Sequence, residues 1–183
     1  LPQAKKIQGK ALSYNNFLDG DAALLCLNEF KKEPACVIVK HNSPCGVGVG
    51  KNIESAFKNS LKVDSLSAFG GVVALNKRCT ASLAKQINTI FFEIVIAPSF
   101  EKEALVIFSK KKNLRILKLS NYKPSPFSIK TISGGSLGQE NDMSSLRSKT
   151  LSFPTNKKPT DSQISSLLLA WRVVKHTKSN AIV

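Results

Sequence analysis

Short runs of strand-forming residues alternate along this chain with amphipathic stretches of helical period. Asp19 to Glu33 opens on a helix-starting aspartate and places Leu24, Leu27 and Phe30 on one face, which predicts a helix. Ala35 to Val39 (ACVIV) is apolar at every position, the pattern of a strand covered on both sides. Asn52 is placed to cap a helix that turns Ile53, Ala56, Phe57 and Leu61 inward. Further strands are expected at Gly70 to Leu75, Glu93 to Pro98, Leu114 to Leu119 and Phe127 to Ile132. Helices at Ser82 to Ile90 and Glu101 to Lys110 fall between them. This alternation predicts an α/β domain: a layered, mostly parallel or mixed sheet with helices on both faces.

From Gly134 to Pro159 the chain turns to Gly, Ser, Asn, Lys and Pro, which reads as a connection containing some extended structure. Thr160 and Gln163 then have capping-box spacing, and Ile164, Leu167, Leu168 and Trp171 repeat at i, i+3, i+4, i+7. That helix leads to VKHTKSNAIV, which resembles the first residues of a new buried strand. The expected division is therefore one module over 1–155, followed by 156–183 as linker, helix and first strand of a second module. The chain opens on Leu1 rather than Met, so it is expected to be a piece of something longer. No apolar run approaches the length of a membrane span.

Charge and cysteine content change this picture little. Lysine and arginine total 27 against 12 acids, a formal +15. The basic residues are spread thinly, with the largest cluster at Lys110, Lys111 and Lys112. No RNA-type aromatic motif accompanies them, so a solvated lysine-rich surface is favoured over nucleic-acid binding. Cys26, Cys36, Cys45 and Cys79 have no paired CxxC spacing. They read as reduced, partly buried thiols of a cytoplasmic protein, with no metal.

The candidate chemistry gathers at VIVKHNSPCGVGVG, Val37 to Gly50. Pro44 and the glycines after it suggest that the strand ends near Val39 and that Lys40 and His41 emerge at its carboxyl end, where open α/β sheets bind ligands. An imidazole there titrates near neutrality, and a neighbouring ammonium favours its neutral, base-competent form. Two readings stay open: an acid–base pair, or two side chains that merely face solvent. GVGVG lacks both dinucleotide-fingerprint and P-loop spacing, and a turn needing small residues is favoured over a phosphate cradle. Asn15 and Asn16, Gly70 and Gly71, Glu93 and Asn180 stand at similar junctions, each taken singly a cap or turn residue. The absence of HxE with PCxxC argues against a zinc deaminase despite Pro44-Cys45.

Five segments in this order, GKALSYNNFLDGDAA, VIVKHNSPCGVGVG, DSLSAFGGVVALN, IVIAPSFEKEAL and AWRVVKHTKSNAIV, closely resemble one family. It is the bifunctional AICAR transformylase/IMP cyclohydrolases, specifically their transformylase region, and the match looks most like bacterial members. The resemblance implies a cytidine-deaminase-like fold without the deaminase zinc. It implies formyl transfer from 10-formyltetrahydrofolate, as co-substrate, to the amine of AICAR, in a homodimer with sites near the subunit interface. It further implies that Lys40 and His41 form the catalytic pair, that Asn180 assists them, and that Asn16, Gly70 and Glu93 contact the nucleotide. Whether Lys40 acts as an acid or as an electrostatic clamp stays open.

The same resemblance implies sequence on either side, including an Arg-Tyr-Gly-x-Asn-Pro-His-Gln motif, the rest of a second module and a separate cyclohydrolase domain. These 183 residues alone are therefore expected not to catalyse transfer. The alternative reading is a basic nucleic-acid-binding or scaffolding module that keeps the fold without the chemistry.

Overall fold

The computed structural model describes residues 1–146 and 151–183. Its elements are β1 (Lys5–Gln8), α1 (Tyr14–Leu27), β2 (Ala35–Lys40), β3 (Ser43–Val49), α2 (Ile53–Val63), β4 (Val72–Leu75), α3 (Ala81–Asn88), β5 (Ile94–Ala97), α4 (Lys102–Ser109), β6 (Arg115–Lys118), β7 (Phe127–Ile132), β8 (Gly135–Glu140) and α5 (Asp161–Val174). Six strands form one sheet in the order β1-β6-β5-β4-β2-β3. The pairs β4–β5 and β5–β6 are parallel, while β1–β6, β2–β4 and β2–β3 are antiparallel. The sheet is thus mixed, with helices on both faces, as the resemblance leads one to expect.

The apolar strands explain the layering. In β2, Cys36 and Ile38 face one side, while Val37 and Val39 face the other. The first set joins Val73, Val95 and Ile116 against Phe57 of α2, Leu83 and Ile87 of α3, and Phe108 of α4. The second joins Ile94, Ile96 and Leu117 against Ala23, Leu24 and Leu27 of α1. Leu169 and Val173 of α5 pack onto this second layer. A strand buried on both faces must read as a continuous apolar run, which is why ACVIV carries no polar alternation.

Gly46 and Gly48 of GVGVG lie within a strand rather than a turn, while β2 ends one residue past Val39, close to where the sequence leads one to expect. β2 runs on to Lys40, reverses at His41-Asn42, and returns as β3. Gly46 and Gly48 alternate with Val47 along that strand and lie beneath α2. A Cβ on Gly48 would sit 2.3 Å from both Ala56 O and Ser60 N, and one on Gly46 would sit 2.2 Å from Ser60 O. The missing side chains let a helix lie directly on the strand backbone. The buried Ser60 hydroxyl donates to Gly46 O at 2.9 Å across that contact. Pro44 is accommodated because β3 is an edge strand and a bulge at Cys45 shifts the register between Ile38 and Val39.

Other boundaries move for local reasons. α1 starts not at Asp19 but at Ser13, whose hydroxyl accepts from Asn16 N while Asn16 Oδ1 accepts from Ser13 N, a capping box. Asn15 and Asn16 therefore lie inside the helix. The stretch read as a connection contains β8, which pairs with β7 in a hairpin exposed along its whole length. Residues 147–150 of that stretch lie outside the described residues. α5 carries the expected Thr160–Gln163 box, but none of its residues is fully buried and Leu167 is exposed. Residues 181–183 form no strand, which corrects the expectation that Asn180 opens one. Among the described residues no helix is long and apolar enough to cross a membrane.

Candidate active site

Because β2 runs antiparallel to β4, its carboxyl end meets the amino ends of β4, β5 and β6. Lys40 and His41 therefore lie at the opposite edge from the one where the parallel strands end. The expectation of a carboxyl-end crevice fails on strand direction, which periodicity does not encode. What the edge does collect is most of the residues the sequence singles out.

Lys40 is the last ladder residue, paired with Ser43, and its Nζ donates to Phe69 O at 2.7 Å. Gly70 follows Phe69 with φ +74°, a left-handed conformation that favours glycine. Gly70 N donates to Phe91 O at 2.8 Å, and Glu93 N donates to Gly71 O at 2.9 Å. The Glu93 carboxylate accepts from the Arg115 guanidinium, whose Nε donates to Ala11 O at 2.9 Å. Three residues after Ala11, α1 begins, with Asn16 buried in its first turn. Lys40, Gly70, Glu93 and Asn16 are thus linked along one edge through backbone groups and a single ion pair.

His41 is exposed and sits in the two-residue turn beyond the ladder, with φ +56° at His41 and +60° at Asn42. Two-residue hairpin loops of the primed types take positive φ at their central positions, because that twist matches the flanking strands. Asn180 is exposed in the segment after α5. Its neighbour Lys178 reaches the turn, Nζ donating to His41 O at 3.0 Å, but Asn180 itself is placed only by this proximity in sequence.

The edge also holds groups the sequence did not single out. Phe69 and Phe91 are exposed and lie against one another, ring centroids 5.3 Å apart. Phe69 directly precedes the Gly70-Gly71 pair, a weak signal in the sequence, whereas Phe91 has no glycine beside it and carries none. Cys45 lies just beyond the turn, where burial pushes its thiol above the ordinary value and the Lys40 ammonium opposes that effect. Cys26, Cys36 and Cys79 are buried free thiols pushed up to about 12 by burial, which makes them unreactive packing residues. Among the described residues no cluster of three or more His, Cys, Asp or Glu is placed to hold a metal ion.

Two cavities lie away from this edge. One of ≈490 Å³ is bounded by the end of α1, residues 141–146 and α5. Within it Glu29 bonds Lys175 at 2.8 Å and His176 at 3.2 Å. Burial pushes the His176 imidazole below its ordinary value, with Glu29 opposing. The other, of ≈360 Å³, lies at the carboxyl ends of the parallel strands between Phe30, Leu75, Ile96 and Tyr122. At the Lys40–His41 edge, by contrast, His41, Phe69, Gly70 and Phe91 are exposed.

A family model described as AICARFT/IMPCHase bienzyme matches residues 1–183. The chain belongs to this family. It is 48% identical over 185 residues to the bifunctional purine biosynthesis protein PurH of Halalkalibacterium halodurans, covering all of this chain and 36% of that protein. It is 49% identical over 182 residues to the PurH of Bacillus cereus, covering 98% of this chain and 35% of that protein. This bienzyme-family chain thus spans about a third of the length of the curated relatives it matches. Among solved structures, a dCMP deaminase from the cyanophage S-TIM5 superposes with a TM-score of 0.40 at 12% identity, over 57% of this chain and 98% of that one.

Proposed function

We propose that this chain supplies the Lys40–His41 edge of a folate-dependent formyltransferase acting on AICAR in purine synthesis. The observation that carries the reading is the convergence of Lys40, His41, Gly70, Glu93 and Asn16, drawn from four separate segments, on one exposed edge of a bienzyme-family chain.

The chemistry needs those residue types. The AICAR amine is a weak nucleophile, since its lone pair is delocalised into the imidazole ring and the neighbouring carboxamide. As nitrogen attacks the formyl carbon, a C–N bond forms and the amine loses a proton, which neutral His41 accepts. The tetrahedral intermediate then breaks the bond to folate N10, which takes a proton as tetrahydrofolate leaves. General-base help of this kind is typically worth about 10²- to 10⁴-fold. Lys40 stabilises the developing oxyanion or delivers the proton to N10, and Asn180 orients the formyl oxygen or the imidazole. Gly70 gives the nucleotide close approach to the backbone, while Glu93 and Asn16 hold its polar groups. Aligning two bound substrates contributes more, roughly 7–11 kcal/mol in favourable cases.

With His41 exposed, exclusion of water at this edge calls for walls supplied by other parts of the protein, in a homodimer that places the site near the subunit interface. The test is a chimera in which this chain replaces the matched segment of the Bacillus cereus PurH. Formyl transfer by the chimera, with at least about 100-fold loss on His41→Ala, supports the reading. Full activity in the His41→Ala chimera refutes it. RNA affinity that falls steeply with salt, with no AICAR binding, favours a basic binding module instead.

A further inference from the structure

The turn that carries His41 is held from two sides by groups outside the Lys-His motif. From the second turn of α1, Asp19 Oδ1 accepts the backbone N–H of Asn42 at 2.7 Å. From the segment after α5, Lys178 Nζ donates to the backbone carbonyl of His41 at 3.0 Å. One contact takes the turn's donor and the other its acceptor.

The turn needs such support. A non-glycine residue in the left-handed region costs about 1–3 kcal/mol and persists where its surroundings over-determine it. Two such residues stand here in succession, where Asn-Gly is the usual choice. The turn also leaves the buried Asn42 Oδ1 without a partner among the described residues, a further cost of about 1–3 kcal/mol. It is therefore not built for its own stability. α1 offers a rigid anchor, because Ala23, Leu24 and Leu27 fix it in the core. A hydrogen bond to a carboxylate is also stronger than one to a neutral acceptor.

We infer that Asp19 is a positioning residue, which fixes the direction of the His41 imidazole by holding the Asn42 amide, with Lys178 as its counterpart on the other side of the turn. The importance of a fixed imidazole rests on the formyl-transfer reading, whereas the clamp rests on geometry alone.

The experiment is amide exchange and imidazole NMR on the 183-residue chain, for wild type, Asp19→Ala and Asp19→Asn. Asp19→Ala is expected to raise exchange at Asn42 by roughly 10- to 100-fold while the Val37 and Ile38 amides stay protected. The His41 ring signals should move towards those of an unconstrained imidazole. Asp19→Asn keeps an Oδ1 acceptor and should restore most of both. Unchanged Asn42 and His41 signals in Asp19→Ala would overturn the inference, as would a loss of protection shared with Val37 and Ile38. AICAR titration separates the two readings. No binding by wild type, with Asn42 protection still dependent on Asp19, contradicts the formyl-transfer reading and upholds the clamp.

Discussion

Replacing Gly48 by alanine tests how β3 and α2 are joined, and through them how the hairpin bearing Lys40 and His41 is held. The added Cβ would meet Ala56 O and Ser60 N at 2.3 Å, and Asn59 C at 3.0 Å, where ordinary contact begins near 3.4 Å. All three partners are helix backbone and cannot rotate away, so α2 must retreat by about 1 Å. Overpacking of this kind typically costs about 1–3 kcal/mol. The retreat also stretches the buried hydrogen bond from Ser60 to Gly46 O, worth about 0.5–1.5 kcal/mol. Together these give about 2–4 kcal/mol, or roughly 5–15 °C in Tm for a chain of this size. Urea unfolding followed by circular dichroism measures it, with Gly135→Ala as the control. A Cβ on Gly135 meets nothing within 4 Å, so that change should stay within about 0.5 kcal/mol. A Gly48→Ala protein as stable as wild type, or a control equally destabilised, refutes the packing argument.

Phe57→Ala empties a ring that is 1% exposed and packs edge-on to Phe92, and should cost about 3–5 kcal/mol in the same unfolding assay. Lys40→Met keeps the stem but removes the bond to Phe69 O. Stability should fall by no more than about 1.5 kcal/mol, while formyl transfer in the chimera falls at least about 100-fold. His176 titrates below its ordinary value of 6.5 in the folded chain, so below that pH the unfolded chain binds more protons. Urea midpoints should therefore decline as pH falls from about 6.5 to the lower folded value and then level off. The decline should shrink in His176→Gln, and an unchanged profile would contradict the half-buried placement of this imidazole beside Glu29, Lys175 and Asp142.

The long apolar strands and the capped helices were legible because burial on two faces and capping leave local signatures. ACVIV, the Asn52 cap and the Thr160–Gln163 box each say what they become. β3 was not read, although its Gly-Val alternation has strand period. Glycine ordinarily signals turning, and only the presence of α2 above the strand gives those positions their reason. β1 (KKIQ) is a polar edge strand that exists through its pairing with β6, so nothing in its own four residues announces it. The start of α1 was hidden because Asn16 closes the capping box where Glu or Gln is the usual signal. The Lys-His pair was legible as chemistry, but its location was not. The antiparallel insertion of β2 is a property of the whole sheet, and it moves the pair to the edge where the parallel strands begin. Asp19 reads in the sequence only as a helix start and Lys178 as a surface lysine, because their partners are backbone groups of a turn whose conformation no motif records.

The most direct measurement for the central claim is a titration of AICAR into the ¹⁵N-labelled chain, read residue by residue. Binding at the proposed edge predicts shifts concentrated at Asn16, Lys40, His41, Gly70 and Glu93, and lost in His41→Ala. Shifts confined to the cavity beside Glu29 and His176, or none at saturating ligand, would contradict it.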